Sequence, residues 1–158
     1  DAHLITERTR AEARCIVAAR RVGVPVPVIR DVTEHAIVME KLDGDVLKYI
    51  ISDQYAQEAG VSIGRLHGAG IVHGDLTTSN MIWRNGRVYL LDFGLAQMTD
   101  EIEPRGVDLH VLFQTLESTT SLPAALKQAF CNGYRMAFSG ADAVIEREHE
   151  IELRGRYL

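Results

Sequence analysis

His73-Gly74-Asp75-Leu76-Thr77-Thr78-Ser79-Asn80 sets a carboxylate and an amide five residues apart, and Asp92-Phe93-Gly94 follows twelve residues after Asn80. Between the two pieces, Met81-Ile82-Trp83 and Val88-Tyr89-Leu90-Leu91 are apolar, strand-like runs, and Asn85-Gly86 favours a tight turn. The spacing predicts a hairpin over residues 81–91. Such a hairpin folds Asp92 back beside Asn80, so that two residues distant in sequence can share one ion.

These residue types suit phosphoryl transfer. That chemistry needs a carboxylate to orient the attacking hydroxyl or water, and hard oxygen ligands to hold magnesium on the phosphates. Asp75 is placed for the first task, Asn80 and Asp92 for the second. The pattern H-x-D-x-x-x-x-N followed by D-F-G, in this order, resembles the catalytic loop and metal-binding segment of the protein-kinase-like fold. The competing reading is an exposed loop whose acids and amides only cap turns. Agreement between the motif and its strand context weighs against it.

At 158 residues, 46% apolar and 25% charged, the chain can bury one sizeable core. A formal net charge of −5 argues against a generally nucleic-acid-coating surface and leaves room for a local basic patch. Cys15 and Cys131, the only cysteines, each lie in an apolar helical pattern and read as core thiols in a reducing, cytoplasmic setting. No apolar run approaches the ~20 residues of a membrane span, and no signal-peptide pattern opens the sequence. Since it does not begin with Met, an excerpt of a longer protein is expected.

Taken in order, residues 6–22 read as a helix with Thr9-x-x-Glu12 as a capping box and Gly23 as its end, before Pro25 and Pro27. Residues 26–29 and 35–39 read as strands around a turn at residues 31–34. Met39-Glu40-Lys41-Leu42 looks like a connector between two lobes, where the Glu40 carbonyl and Leu42 N–H could meet an adenine edge and Met39 guards the pocket. Residues 46–51 and 55–68 read as helices, the second with a stripe of Ala59, Ile63 and Leu66 and a structural His67. Ile71-Val72 forms a small strand leading into the central loop.

After Gly94, residues 95–105 are short and acidic, with no Ala-Pro-Glu. Gly106 opens a helix carrying Val107, Leu109, Val111, Leu112 and Leu116. Ordinary protein kinases place a long activation segment in this gap, and at Gly74 most carry an arginine that reads its phosphate. The two absences agree. Thr77 stands where serine/threonine kinases have a lysine, which weakens the case for efficient transfer to a protein hydroxyl. Residues 122–138 and 141–152 read as two further helices, and residues 153–158 as a solvated, basic tail.

The octapeptide, Arg8-Thr9-x-x-Glu12-Ala13-Arg14 and Leu153-Arg154-Gly155-Arg156 together resemble the small kinase/ATPase family of the KEOPS complex, over essentially the whole chain. The resemblance implies a minimal kinase-like fold, ATP and magnesium, autophosphorylation and ATP hydrolysis. It also implies partnership with the tRNA threonylcarbamoyladenosine-forming subunit and other KEOPS subunits, with tRNA met indirectly and no membrane. Glu12 would pair with a phosphate-binding lysine, Ile16 would pack towards Phe93 and His73, and Ile82 would join Met39, Glu40 and Leu42 at the nucleotide. Arg154 and Arg156 would approach the partner or tRNA.

One departure matters. The three lysines, Lys41, Lys48 and Lys127, all follow Glu12, and no glycine precedes Gly23. The phosphate-covering loop and its lysine therefore lie outside this sequence. The expected fold class is α+β, mainly the helical C-terminal lobe of a kinase at residues 42–158, with a truncated N-terminal lobe at residues 1–41. The alternatives are a small-molecule phosphotransferase of the aminoglycoside or choline kinase type, and a pseudokinase scaffold, which would have no use for Asp75, Asn80 and Asp92 together.

Overall fold

The computed structural model describes residues 2–157, with side chains from Thr6 onward. In chain order the elements are α1 (Ala2–Arg21), β1 (Ile29–Val32), β2 (Ile37–Met39), β3 (Asp45–Val46), α2 (Leu47–Ile50) and α3 (Asp53–Gly68). There follow β4 (Ile71–Val72), a 3-10 turn at Thr78–Asn80, β5 (Met81–Arg84), β6 (Arg87–Leu90) and β7 (Gln97–Met98), and then α4 (Ile102–Thr119), α5 (Pro123–Ala137) and α6 (Ala141–Arg156). The architecture is α+β. Three small antiparallel sheets, β1-β2, β3-β5-β6 and β4-β7, lie with a helical body built on α3, α4, α5 and α6.

The core forms where helical stripes converge. Ile63 and Leu66 of α3, Leu109, Leu112 and Leu116 of α4, and Phe130 and Tyr134 of α5 are buried with Leu76, Met81, Leu90 and Phe93 from the central loop and hairpin. Burying one such side chain stabilises by about 1.5–3 kcal/mol. Ser52 caps α3 by accepting the Tyr55 N–H at 3.4 Å, and Pro123 occupies the first turn of α5, where no N–H is needed. Cys15 and Cys131 are both free and buried, as core thiols. Among the described residues no helix is long and apolar enough to cross a membrane.

Several boundaries differ from the sequence reading, each for a physical reason. Helix α1 begins at Ala2, so Thr9 and Glu12 lie inside it and form no capping box; Thr9 is buried. The first strand starts at Ile29, not residue 26, because Pro25 and Pro27 have no N–H for a ladder. The stretch before it is still anchored, since the Leu90 N–H donates to the Pro25 carbonyl at 2.9 Å, and Val24 and Val26 are buried. The turn runs from Thr33 to Ala36, where the Thr33 N–H donates to the Ala36 carbonyl at 2.9 Å. Helix α4 starts four residues earlier than Gly106, at Ile102, with Pro104 tolerated in its first turn. The basic tail is also corrected: residues 153–156 are the last turn of α6.

The hairpin is as read. Met81 pairs with Leu90, Ile82 with Tyr89, Trp83 with Val88 and Arg84 with Arg87. Asn85 (φ 51°) and Gly86 (φ 78°) both take the left-handed conformation that a two-residue turn of this hand requires.

Candidate active site

The site grows from His73, which is fully buried. Its Nε2 donates to the Leu91 carbonyl at 2.7 Å, and its Nδ1 accepts the Asp75 N–H at 3.1 Å. The two bonds require the tautomer with its proton on Nε2. They also fasten the loop bearing Asp75 to the strand leading into Asp92. The Phe93 ring closes on His73 edge to face, with centroids 5.0 Å apart.

Asn80 makes the second fastening. Its carbonyl accepts the Leu91 N–H at 2.9 Å, and its Nδ2 donates to the Asp75 carbonyl at 2.9 Å and to Asp75 Oδ2 at 3.3 Å. With Nδ2 engaged by Asp75, Oδ1 is the end left for another partner. Asp92 stands one residue beyond Leu91 and is exposed. Its φ of 59° places a non-glycine residue in the left-handed region, at a cost of about 1–3 kcal/mol, and such strain clusters at functional sites. One carboxylate oxygen, Oδ1, accepts the Gly94 N–H at 3.2 Å.

Glu12, on α1, lies close enough to Asp92 to feel its charge. Burial pushes its carboxyl above the ordinary glutamate range, and the negative charge of Asp92 adds to the rise. Removing that charge with Asp92→Asn should therefore lower the Glu12 titration midpoint, as followed by side-chain carboxyl NMR. An unmoved midpoint would separate the two carboxylates.

The donor set can be tested against a metal. Among the described residues no group of three His, Cys, Asp or Glu side chains could form a closed metal cage. An amide oxygen and a carboxylate instead suit a hard divalent ion held by one or two protein oxygens together with waters and phosphate oxygens. Asn80 and Asp92 fit such an ion.

Met39 ends β2 half-buried. Glu40 is pinned, its N–H donating to the Val28 carbonyl and its Oε1 accepting the Val28 N–H, each at 2.9 Å. Leu42 is half-buried in the irregular stretch that follows. Ile82 is buried opposite Val46, the residue that closes this connector. Arg154 and Arg156 lie elsewhere. Arg154 Nη2 binds both carboxylate oxygens of Glu103 at 3.1 and 2.7 Å, and Arg156 Nε binds Glu152 at 2.8 Å.

Asp108 is the residue the sequence reading missed. Its Oδ2 accepts the His73 N–H at 2.8 Å and a bond from His67 Nε2 at 2.9 Å, while its Oδ1 accepts the Gly74 N–H at 2.9 Å. Burial pushes this carboxyl upward, but hydrogen bonds from His67, Gly74 and His73 outweigh it and hold the group below the usual aspartate range. His67 is structural, as read: fully buried, it also meets the Tyr134 hydroxyl at 2.6 Å. The available signal was an acid in register with Leu112 and Leu116 on an apolar helix face.

Gly74 has a geometric cause beyond the missing arginine. Its φ is +90°, and a Cβ there would run into the Leu95 carbonyl. Gly74→Ala should cost at least about 1–2 kcal/mol from the backbone conformation alone, and displace Asp75. Urea denaturation checks the first effect, and ATP turnover by the full-length protein checks the second.

The RIO domain family matches residues 2–110. The chain is 77% identical over 158 residues, all of its own length and 30% of the relative's, to a "Probable bifunctional tRNA threonylcarbamoyladenosine biosynthesis protein" of Methanocorpusculum labreanum. It is 46% identical, over its whole length and 80% of the relative's, to a "Probable serine/threonine-protein kinase BUD32 homolog" of Archaeoglobus fulgidus. With the "KEOPS complex subunit Bud32" of Pyrococcus abyssi it shares 44% identity over 99% of this chain and 77% of that one. Among solved structures, "WaaP in complex with acyl carrier protein" superposes with a TM-score of 0.66 at 20% identity, covering 90% of this chain and 75% of that one. The match over residues 2–110 and the shared architecture lead to one conclusion: the chain belongs to the RIO domain family and has its kinase-like fold.

Proposed function

We propose that the protein containing this chain is an ATP- and magnesium-dependent atypical serine/threonine kinase and ATPase that supports tRNA threonylcarbamoyladenosine modification within a KEOPS complex, in the cytoplasm. The observation that carries the reading is the paired fastening of Asn80, whose carbonyl holds Leu91 at 2.9 Å while its amide holds Asp75. Because Leu91 directly precedes Asp92, this double hold on Asn80 supports a shared role for the three residues of the phosphoryl-transfer pattern. The relatives named for tRNA threonylcarbamoyladenosine biosynthesis and for the KEOPS complex supply the biological setting. The chain spans 30% of the length of that bifunctional relative.

In this reading each residue has one task. The Asp75 carboxylate, steadied by Asn80 Nδ2, accepts a hydrogen bond from the attacking hydroxyl or water and orients it. Asn80 Oδ1 and Asp92 hold the divalent ion. When bound, that ion neutralises charge on the phosphate oxygens. Glu12 receives the lysine of a preceding segment, and the charge of that lysine relieves its repulsion from Asp92. Met39, Glu40, Leu42 and Ile82 line the adenine side. Arg154 and Arg156 contribute to a partner or tRNA contact once released from Glu103 and Glu152.

The test is magnesium-dependent ATP hydrolysis by the full-length protein, with and without the tRNA threonylcarbamoyltransferase subunit and tRNA. Hydrolysis that rises with the partner is expected. Turnover seen only with an aminoglycoside or choline-like acceptor would favour the small-molecule phosphotransferase. Absence of turnover with nucleotide and metal would favour a scaffold.

A further inference from the structure

Behind the connector at Glu40, on the outer part of the hairpin, lies an open polar cleft of about 370 Å³ that the phosphoryl-transfer reading leaves unused. Three arginines from separate segments line it: Arg20 from the last turn of α1, and Arg84 and Arg87 from the two sides of the hairpin turn. The single acid in the lining is Glu40. One of its oxygens already accepts the Val28 N–H, and the other is 3.9 Å from Arg84. No carboxylate among the described residues pairs with Arg20 or Arg87. Three guanidinium groups against one carboxylate make a local excess of positive charge on a chain whose formal net charge is −5.

The cleft is organised as well as charged. Arg84 and Arg87 are directly opposite in the ladder, which places like charges side by side, an arrangement that is destabilising without a shared partner. The Tyr89 ring serves both. Their guanidinium carbons lie 5.8 and 5.5 Å from its centroid, and Arg87 Nη2 donates to its hydroxyl at 3.3 Å. These contacts restrict two long side chains before any ligand arrives, which lowers the ordering cost of binding.

We propose that this cleft binds the phosphodiester backbone of an RNA. Guanidinium forks match phosphate oxygens in a bidentate way. The shape favours a chain of phosphates over a single free one. A free phosphate dianion is best held in an enclosed nest of backbone N–H groups or at a helix N-terminus. This cleft is open and borders the C-terminal end of α1, so it offers no helix N-terminus. Its donors are side chains spread over three segments, the kind of contact that positions a nucleic-acid backbone without reading bases. The choice of RNA as the polyanion rests on the proposed function above; the site itself rests on this geometry.

The experiment uses the full-length protein, a tRNA transcript as probe, and the double variant Arg20→Gln/Arg87→Gln, which leaves Arg84 beside Glu40 and touches none of the nucleotide residues. Filter binding over a range of salt concentrations gives affinity and its salt slope. The variant should bind at least tenfold more weakly. Losing two phosphate contacts should flatten the plot of log affinity against log salt by about 1.5. Hydrolysis of ATP without RNA should be unchanged, and Arg20→Lys/Arg87→Lys should restore most of the salt slope. Wild-type affinity and slope in the Gln variant would overturn the site and leave the function standing. A wild-type protein that binds no RNA would likewise overturn the site, whereas the proposed function fails only if ATP hydrolysis does not rise with the partner subunit.

Discussion

Asp92→Ala in the full-length protein should lower magnesium-dependent ATP turnover by on the order of 10²–10³-fold, the scale seen when one electrostatic partner of the reacting group is lost, and leave the fold intact. Asp92 is exposed and fills no part of the core, so the stability change should stay within about 1 kcal/mol. Asp92→Gly sharpens the point. With φ at 59°, the native residue pays a backbone cost that glycine does not. The glycine variant should therefore match or exceed wild-type stability while being equally inactive. Strained backbone of this kind clusters at functional sites. Urea denaturation alongside steady-state turnover measures both. An unfolded variant, or one with undiminished turnover, would remove Asp92 from the site.

Asp108→Ala should have the largest effect on stability. It strands the N–H groups of His73 and Gly74 and the Nε2–H of His67, all presented to a carboxylate only 3% exposed. Breaking such a buried arrangement costs about 3–5 kcal/mol, a third or more of the total stability of many domains. The wild-type carboxyl sits below its ordinary value in the folded state. Its contribution is therefore fully present above the unfolded aspartate value of about 3.9, and is lost as pH falls through the lower folded value. Denaturation midpoints should consequently differ strongly between wild type and variant at pH 7, and converge in acid below that window. A constant difference at all pH values would mean that the carboxylate charge is not what holds the loop.

The parts of the molecule legible in its sequence are those whose cause is local. Asn85-Gly86 demands its turn whatever surrounds it, so the hairpin and the return of Asp92 towards Asn80 could be read directly. The stripe of Ala59, Ile63 and Leu66 needed only helical periodicity. Other features depend on distant partners. Asp108 reads as one more polar residue at a helix start until α4 is laid under the central loop, thirty-four residues away from Gly74. Thr9-x-x-Glu12 has the form of a cap, but the favourable run before it carries α1 back to Ala2. Arg154 looked like tail charge because Glu103, which draws it onto α4, is fifty-one residues earlier. The extended run through Pro25 and Pro27 is held by the core and one bond from Leu90, not by strand pairing.

Manganese-nucleotide binding to the full-length protein tests the proposed division of labour between Asp75 and Asp92 most directly. Water-proton relaxation, which reports the paramagnetic ion, should show Asp75→Ala binding manganese-ATP within a few-fold of wild type while failing to turn it over. Asp92→Ala should lose the metal-dependent part of that affinity. Undiminished manganese-ATP binding by Asp92→Ala, or its loss in Asp75→Ala alone, would contradict the assignment of the metal to Asn80 and Asp92.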